Sequence, residues 1–478
     1  MSDQKYLITI GIECHVQLKT KTKLFSEVDN DARGKEPNSC VSPVDYALPG
    51  MLPRLNGEAV KLAVRAGAAM NAKINPRSRF DRKHYFYPDS PKGYQITQFY
   101  SPIIGEGYIE LPSGKHIRIE HAHLEGDAGK LSHSDSYSLV DLNRVDTPLI
   151  EIVSMPDITS AREAHDYCKE LWRNMVYAGV TNGDLYNGNM RFDVNISLRK
   201  SESDPLGTRA EIKNLNSFRS IERAVEYEYE RQSKLLDKGE KVVQETRGWS
   251  DATGKTTSQR SKEEAQDYRY MPEPDLPPLN LSKEFIEAEY KTCPALPADY
   301  RAKFNKIVPA DTLEILLDYP QLIKSLSDAS ATLSNSKDVE RIANLFVSVL
   351  LAEENYSLLN DPLPTTDQLI GLVGLYSEGK ISSTAMKEIF LAFFTKGKNN
   401  KPAVELAKEM NLLQENDTAA LEAIVDTVLA KPETAQAQTD YKNGSEKVLG
   451  FLVGQVMKES RGKANPSAVQ EILKKKLK

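Results

Sequence analysis

Apolar residues occupy every second position from residue 8 to residue 18, near the start of this 478-residue chain. Glu13, His15 and Gln17 lie at positions between them. Successive side chains of a β-strand point to opposite faces, so this alternation predicts a strand with one buried face and one polar face. The polar face is either hydrated or part of a functional site, and the alternation alone leaves both interpretations open.

The alternation recurs in three later segments, and a fourth segment is predicted as a buried strand, which together indicate the class of the first part of the chain. Residues 190–199 and 208–213 alternate, residues 116–130 do so less regularly, and residues 148–154 are apolar except for Glu151. Clusters of Pro, Gly, Asn and Asp separate these short segments. This pattern is typical of an antiparallel β-rich domain that contains some helices.

The sequence pattern changes near residue 295 and again near residue 400. Helical periodicity dominates after the proline-rich "PEPDLPPLN" (272–280), and "KNNKP" (398–402) precedes further helical segments. A chain of this length is expected to form two or three domains. We therefore predict an α+β fold: an antiparallel β-rich domain at 1–294, an all-α helical domain at 295–402, and a small all-α C-terminal domain at 403–478.

Composition and charge limit the cellular context. No apolar run of about 18 residues offers a membrane span, and the first residues lack the apolar segment of a signal peptide, so we predict a cytoplasmic protein without membrane contact. The four cysteines are scattered without a CxxC pair, which argues against structural zinc and a disulfide framework. The net charge is −6, but residues 440–478 hold nine Lys/Arg against four acids, a local excess of +5.

Carboxylates and imidazoles lie on or at the ends of the predicted strands. They are Glu13, His15, Glu125, Asp127, Glu151 and Asp193. Oxygen ligands with one imidazole suit a hard divalent cation such as Mg²⁺ or Mn²⁺. The alternative is that these faces are hydrated and bind nothing. Glu151 most favours a site, because a lone acid in an apolar strand is costly to bury unless it is paired or bound to metal.

Residues 81–100 combine six aromatic side chains with three cations. They are Tyr85, Phe86, Tyr87, Tyr94, Phe99 and Tyr100, with Arg82, Lys83 and Lys92. Aromatic faces stack on nucleobases and cations contact phosphate, so this segment is a candidate for binding a nucleotide or an RNA end. The alternative is a loop whose aromatic side chains pack back onto the sheet.

Three common catalytic motifs are absent from the sequence. "GWSDATGKT" (248–256) has five residues between its glycines where a P-loop has four. No G-x-G-x-x-G opens a helix after an early strand, and no G-x-S-x-G is present. These absences argue against a P-loop fold, a Rossmann domain and a hydrolase with a nucleophile elbow.

Eight segments occur in an order that resembles one known family, the B subunits of the tRNA-dependent amidotransferases. They are "IGIECHVQLKTKTKLFS", "DRKHYFYPDSPKGYQITQ", "HLEGDAGK", "DLNRVDTPLIEIVS", "MRFDVNISLR", "EIKNLNSF", "DYRYMPEPDLPPL" and "DYKNGSEKVLGFLVGQVMK". The resemblance implies conversion of Glu-tRNA(Gln) and Asp-tRNA(Asn) to Gln-tRNA(Gln) and Asn-tRNA(Asn). ATP and Mg²⁺ would serve to phosphorylate the side-chain carboxylate, and ammonia would displace the phosphate. It also implies that the first domain is a cradle holding this site, and that the last domain grips the tRNA body.

The resemblance further implies roles for individual residues. It places a metal site at His15, Glu125 and Glu151, with Glu13 close by and Asp193 in reserve. Catalytic roles fall to Glu125, Arg191 and Lys83. ATP binding falls to Lys92, Arg82, Arg144 and Tyr87.

Partners are implied in the same way. The chain lacks the Gly/Ser-rich amidase signature that releases ammonia from glutamine, so the resemblance implies a separate glutaminase A subunit and a small C subunit. The implied nucleic-acid partners are tRNA(Gln) and tRNA(Asn). The alternative function is a non-catalytic subunit of the same complex, which positions tRNA through the basic residues of 440–478.

The chain departs from the family pattern at several positions. Gly126 stands where the pattern has a second acid, so one candidate ligand or proton acceptor is missing. Asp146 stands where glycine is common, and Phe192 where cysteine is common. We interpret the changes at 146 and 192 as differences in packing.

Overall fold

A computed structural model of the chain describes residues 5–261, 267–353, 362–395, 397–414, 418–460 and 464–477. The chain divides into two compact units, Met1–Pro297 and Ala298–Lys478. Within the described residues, unit 1 contains the strands, four α-helices and a short 3₁₀ helix (Leu142–Arg144), and unit 2 is helical apart from an isolated bridge between Ile381 and Leu413.

Most strands of unit 1 form one large sheet. The strands are β1 (Leu7–Gln17), β2 (Arg77–Ser78), β3 (Asp81–His84), β4 (Tyr94–Thr97), β5 (Gly107–Glu110), β6 (His116–Gly126), β7 (Lys130–His133), β8 (Ser138–Asp141), β9 (Pro148–Ser154), β10 (Met190–Arg199), β11 (Ala210–Leu215), β12 (Glu245–Ser250), β13 (Lys255–Ser261), β14 (Met271–Pro272) and β15 (Leu279–Asn280). The large sheet has the order β13-β12-β11-β10-β1-β9-β6-β5. Three small sheets join β14-β3-β4, β15-β2 and β7-β8.

The apolar positions of β1 belong to the hydrophobic core of unit 1. Ile10, Ile12 and Val16 are at most 1% exposed, and each buried side chain of this size contributes about 1.5–3 kcal/mol. Four helices complete the unit: α1 (Gly57–Ala69), α2 (Ala161–Tyr177), α3 (Phe218–Asp237) and α4 (Lys283–Lys291). Helices α2 and α3 pack against each other, and each begins after a serine whose side chain accepts a hydrogen bond from a backbone N–H of the first turn.

The register of the central strands brings their polar positions together. Strand β1 pairs antiparallel with β10 and β9, which sets His15 opposite both Arg191 and Glu151. Strand β9 also pairs with β6, which sets Glu151 opposite His123. Residues directly opposite one another share a face of the sheet. The polar positions of four neighbouring strands therefore lie on one surface.

The predicted α+β class is confirmed, and the five segments predicted as strands form β1, β6, β9, β10 and β11. One pairing differs from the antiparallel expectation, because β11 and β12 run parallel. The chain between them passes through α3, which returns it to the end of the sheet at which β11 starts. A helical crossover of this kind is what a parallel pair requires.

The described residues from Pro297 onward contain eleven α-helices, besides a π-helix and two short 3₁₀ helices. They are α5 (Pro297–Phe304), α6 (Ala310–Leu316), α7 (Pro320–Ser330), α8 (Ser336–Leu345), α9 (Thr366–Ser377), α10 (Ser383–Ala392), α11 (Ala403–Glu409), α12 (Thr418–Leu429), α13 (Ala435–Lys442), α14 (Leu449–Glu459) and α15 (Pro466–Leu477). The periodic segment 311–329 is split between α6 and α7 at Pro320, because proline lacks the N–H that would continue a helix and suits the first position of a new one.

Packing within unit 2 bears on the predicted boundary between residues 402 and 403. Helix α11 packs against α9 and α10, whereas α12, α14 and α15 pack against one another around a separate core that includes Val425, Leu452 and Leu473. On this packing a boundary would fall after α11. The three-domain division remains a prediction. No helix in the described ranges is both long and apolar enough to cross a membrane.

Candidate active site

The polar surface of the large sheet borders a cavity of about 990 Å³ in unit 1. Strands β1, β6, β9, β10 and β11 contribute side chains to it, and the β3–β4 segment and residues 145–146 contribute further lining. Cavities that bind small molecules in proteins usually measure about 300–1,000 Å³. The space is therefore sufficient for a nucleotide-sized ligand.

Three of the predicted metal ligands converge in this cavity. The Nε2 atom of His15 lies 3.4 Å from Oε1 of Glu125 and 3.7 Å from Oε2 of Glu151. One ligand atom from each of these residues lies within 4.8 Å of the other two. Glu125 is 3% exposed, and Glu151 and His15 are partly buried. Two carboxylates and an imidazole at this spacing form a donor set suited to a hard divalent cation.

His123 lies beside the cluster and was not among the predicted site residues. Its Nε2 atom is 3.4 Å from Oε2 of Glu151 and 3.8 Å from Oε2 of Glu125. Burial alone would lower the pKa of His123, but hydrogen bonding to both carboxylates raises that pKa to about 9. Burial alone would raise the pKa of Glu151, but His123, His15 and Lys83 hold that pKa well below its usual range. The cluster therefore attracts positive charge.

Glu13 and Asp193 continue the polar surface toward β11. The Nδ2 atom of Asn195 donates to Oε1 of Glu13 at 3.0 Å. Burial, followed by the nearby charges of Glu151, Glu211 and Asp193, raises the pKa of Glu13. Lys213 lies 2.9 Å from Asp193 and 3.3 Å from Glu211, and these acids outweigh burial and raise its pKa. Glu13 is thus placed next to the three-residue cluster rather than within it.

Two of the predicted lysines line the cavity. Lys83 has its Nζ atom 4.9 Å from the centre of the Tyr268 ring, a cation–π distance. Lys92 forms an ion pair with Asp146, and both side chains are largely buried. The two cations reach the cavity from β3 and from the segment that precedes β4.

Asp127 connects two of the three predicted arginines, Arg144 and Arg191. Arg191 lines the cavity with Nη2 3.3 Å from both carboxylate oxygens of Asp127, and Arg144 forms a second ion pair with the same carboxylate. Burial alone would raise the pKa of Asp127, but the two guanidinium groups lower it. Arg144 therefore acts on the site by way of Asp127.

Arg82 and Tyr87 are not brought into the cavity. Arg82 lies on the other face of β3, where its guanidinium bonds Glu273 at 2.8 and 2.9 Å and lies 4.2 Å from the Tyr94 ring centre. Tyr87 is 45% exposed and its ring lies 5.6 Å from that of Tyr85. Of these two tyrosines, Tyr85 is the one that lines the cavity.

The packing interpretation of Asp146 is wrong. Asp146 lines the cavity, pairs with Lys92 and is only 4% exposed. Phe192 also borders the cavity, but it is 3% exposed and its ring lies 6.1 Å from that of Phe218, in agreement with a packing role.

Several residues in or beside the cavity were not among the predicted site residues, although strand parity in the sequence indicated some of them. Arg209, Glu211 and Lys213 share a strand parity that a search for polar faces detects. His123 shares the parity of Glu125. Tyr268 offers no such signal, because it reaches the cavity from an irregular segment.

The fold and the family comparisons identify the class to which the chain belongs. A protein-family model described as the GatB/GatE catalytic domain matches residues 8–287, and one described as the GatB domain matches residues 327–477. The chain thus carries a catalytic domain of GatB/GatE type.

Curated relatives identify the family more narrowly. Proteins named as the B subunits of aspartyl/glutamyl-tRNA(Asn/Gln) amidotransferases are 45% identical in Geotalea uraniireducens, 44% in Persephonella marina and 43% in Thermotoga maritima. The matches cover 99%, 98% and 99% of this chain and 99% of each relative. The chain belongs to this family of amidotransferase B subunits, as the sequence motifs indicated.

Proposed function

We propose that this chain activates the side-chain carboxylate of Glu-tRNA(Gln), Asp-tRNA(Asn) or both, and then amidates it. The substrates follow from the names of relatives that match the chain over nearly its whole length. The observation that carries the proposal is the cavity in which the His15–Glu125–Glu151 cluster lies together with Lys83, Lys92 and Arg191. Acidic metal donors and cationic side chains in one space suit transfer of a phosphoryl group.

The chemistry requires activation because a carboxylate is a poor electrophile. Transfer of the γ-phosphoryl group of ATP to a carboxylate oxygen gives ADP and an acyl phosphate. Ammonia then attacks the carbonyl carbon, the C–O bond to phosphate breaks, and inorganic phosphate and a proton are released. The product is the side-chain amide. This route needs no nucleophilic side chain of the protein.

The residues present fit a magnesium site. Glu125 and Glu151 place two carboxylates within reach of one imidazole, and a protonated His123 balances only one of their two negative charges, so a divalent cation would balance them more fully. We assign His15, Glu125 and Glu151 to this site, with Glu13 and Asp193 beside it. A bound Mg²⁺ would neutralise phosphate charge and orient the phosphates. His123 forms an ion pair with each of the two acids, with its Nε2 atom 3.4 Å from Glu151 and 3.8 Å from Glu125.

The cavity cations have a separate task. The triphosphate and the substrate carboxylate are both anions, and their approach is repulsive in a partly desolvated site. We assign the contacts with phosphate oxygens to Lys83, Lys92 and Arg191, which line the cavity, and a supporting role to Arg144, which shares Asp127 with Arg191. We assign the base or sugar of the nucleotide to the neighbourhood of Tyr85 and Tyr268 rather than Tyr87.

The proposal includes partners. The B subunit of an amidotransferase acts within a multi-subunit complex with tRNA, and we propose a glutaminase A subunit that supplies ammonia and a small C subunit. The location in the cytoplasm remains a prediction. The alternative function, a non-catalytic subunit that positions tRNA, is favoured only by the basic segment 440–478.

Two measurements test the proposal and separate it from this alternative. Glu125→Gln and Glu151→Gln should weaken Mg²⁺-dependent ATP binding to the full chain, followed by calorimetry, by at least about tenfold. In the complex reconstituted with its partners, ATP, Mg²⁺ and ammonium chloride, they should reduce formation of Gln-tRNA(Gln) at least as much. Glu120→Gln is a matched control, because Glu120 lies on β6, the strand of Glu125, and its side chain is exposed.

Two results would count against these assignments. A wild-type chain without Mg²⁺-dependent ATP binding would favour the tRNA-positioning alternative. Glu125→Gln and Glu151→Gln variants within about threefold of wild type would contradict the assigned metal site, since loss of a charged ligand removes more than this.

A further inference from the structure

The side chain of Asp146 occupies space that opens because residue 126 is a glycine. Gly126 is the last residue of β6 and pairs with Pro148 of β9. A Cβ atom added to Gly126 would lie 2.6 Å from Oδ1 and 3.3 Å from Cα of Asp146. Real Cβ atoms essentially never come as close to another atom as 2.6 Å, so the Asp146 carboxylate would have to move, whereas a contact of 3.3 Å needs a shift of only a few tenths of an ångström. Residue 126 therefore remains without a side chain as long as Asp146 keeps this position.

Asp146 adopts a backbone conformation that side-chain-bearing residues rarely adopt. Its φ is +58°, in the left-handed region that favours glycine. Two backbone hydrogen bonds hold it there: its N–H donates to the carbonyl of Asp127 and its carbonyl accepts from the N–H of Leu24, both at 2.9 Å. A residue held in such a conformation at the wall of a cavity suggests that its side chain has a function.

The carboxylate of Asp146 is directed at Lys92. The two form an ion pair with side chains 6% and 9% exposed, and the Lys92 ammonium also lies 5.8 Å from the centre of the Phe25 ring. An ammonium has three N–H donors, so the bond to Asp146 fixes its direction and leaves donors for a ligand. Both residues line the cavity.

We propose that Asp146 is a positioning residue that holds the Lys92 ammonium toward the substrate phosphates, in a space that glycine at position 126 leaves free. The proposal rests on the proposed function in assigning Lys92 to phosphate. Gly126 and Asp146 face each other across adjacent backbones, so a carboxylate carried by either residue would occupy the same space.

Enzyme kinetics of the reconstituted complex test the positioning role. Asp146→Asn keeps the shape and removes the charge, and we expect kcat/KM for ATP to fall about tenfold, the usual effect of one lost charge-assisted hydrogen bond. Lys92→Met should lower it at least as much. Because Asp146 acts through Lys92, the double variant should be no worse than Lys92→Met alone. If the fold-losses in kcat/KM of the two single variants multiplied in the double variant, the two residues would act independently and the proposal would be overturned.

An exchange of the two residues tests the shared space. Asp146→Gly should lose activity as Asp146→Asn does, and adding Gly126→Glu to it should restore kcat/KM to within about threefold of wild type. Asn71→Gly is the matched control for release of backbone strain, because Asn71 also has a positive φ of +50° and is exposed. A double exchange no better than Asp146→Gly would contradict the proposal.

A measurement without ATP distinguishes failure of this inference from failure of the proposed function. In urea unfolding of the full chain, Gly126→Ala should lower the midpoint in the wild-type background and have less than half that effect in the Asp146→Gly background. If Gly126→Ala lowered the urea midpoint equally in both backgrounds, residues 126 and 146 would not share this space. If the shared space is upheld but the wild-type complex shows no ATP-dependent amidation, the proposed function fails, and the positioning role fails with it.

Discussion

Arg82 and Lys83 are neighbours in sequence whose side chains leave β3 on opposite faces. Lys83 points into the cavity, where its charge lowers the pKa of Glu151. Arg82 points away and is bound by Glu273, whose side chain is fully buried. The two residues carry the same charge and lie on the same strand. Only the direction of each side chain indicates that Lys83 belongs to the site and that Arg82 stabilises the fold.

This difference predicts opposite effects for matched substitutions. Lys83→Met should lower kcat/KM for ATP about tenfold or more, because a charge-assisted contact to phosphate contributes about 1.5–3 kcal/mol. Arg82→Met should leave that parameter within about threefold but lower the free energy of unfolding by about 3 kcal/mol, because Glu273 would remain buried without its partner. Steady-state kinetics and urea unfolding of both variants measure the two effects. If Arg82→Met lowered kcat/KM and Lys83→Met lowered only the free energy of unfolding, the assignment of the two faces of β3 would be wrong.

The elements α3, β12 and β13 are joined through one buried acid. Glu228 on α3 is 0% exposed and accepts hydrogen bonds from Nε and Nη2 of Arg231 at 2.9 Å, while Nε of Arg247 on β12 lies 3.0 Å away. Thr256 on β13 also donates to it. The crossover helix is thus tied by charge to the hairpin that follows it.

This tie predicts a specific dependence of stability on acid. Burial alone would raise the pKa of Glu228, but hydrogen bonds from Arg231 and Thr256 lower it below its usual 4.5. Below that pH the unfolded chain binds the proton more readily than the folded one, so stability falls as pH falls through the folded-state pKa. Glu228→Gln should be less stable at pH 7, and its free energy of unfolding should fall less steeply below about pH 4.5.

Urea unfolding between pH 3 and pH 7 measures this effect. Glu230→Gln is the matched control, because Glu230 lies on the same helix with a 68% exposed side chain and only an exposed ion pair to Lys234. Its curve should follow that of the wild type. A Glu228→Gln curve parallel to the wild type through the acid range would contradict the lowered pKa.

At the scale of the whole molecule, periodicity predicted the strands and their polar faces, because alternation is a local property of each strand. Alternation placed His15 and Glu125 on polar strand faces, but the assignment of His15, Glu125 and Glu151 to one site came from the resemblance to the family. Tyr87 could not be placed, because β3 ends at His84 and alternation no longer applies beyond it. The contact of Lys92 with Asp146 joins residues 54 positions apart and depends on how loops fold over the sheet, which no local pattern encodes.

The division into two units leads to a final prediction. All residues that line the cavity lie in unit 1, which has its own core of buried side chains from Tyr6 to Leu276. A fragment of residues 1–297 should therefore unfold cooperatively and bind Mg²⁺-ATP within about threefold of the full chain. Exposed lysines of the basic segment lie in unit 2, so the fragment should bind tRNA at least about tenfold more weakly. They include Lys442, Lys447, Lys458, Lys474 and Lys475.

Salt dependence separates loss of the basic segment from general damage. Each phosphate contact by a cation adds a little less than one to the slope of log K against log salt, so the fragment should show a shallower slope than the full chain. Calorimetry with ATP and filter binding with tRNA(Gln) at four salt concentrations give both quantities. Substitution of Lys442, Lys447 and Lys458 by glutamine in the full chain should reproduce part of the change and leave ATP binding unaltered. Equal tRNA affinity and slope for fragment and full chain would place tRNA recognition in unit 1, since only charges absent from the fragment alter the slope.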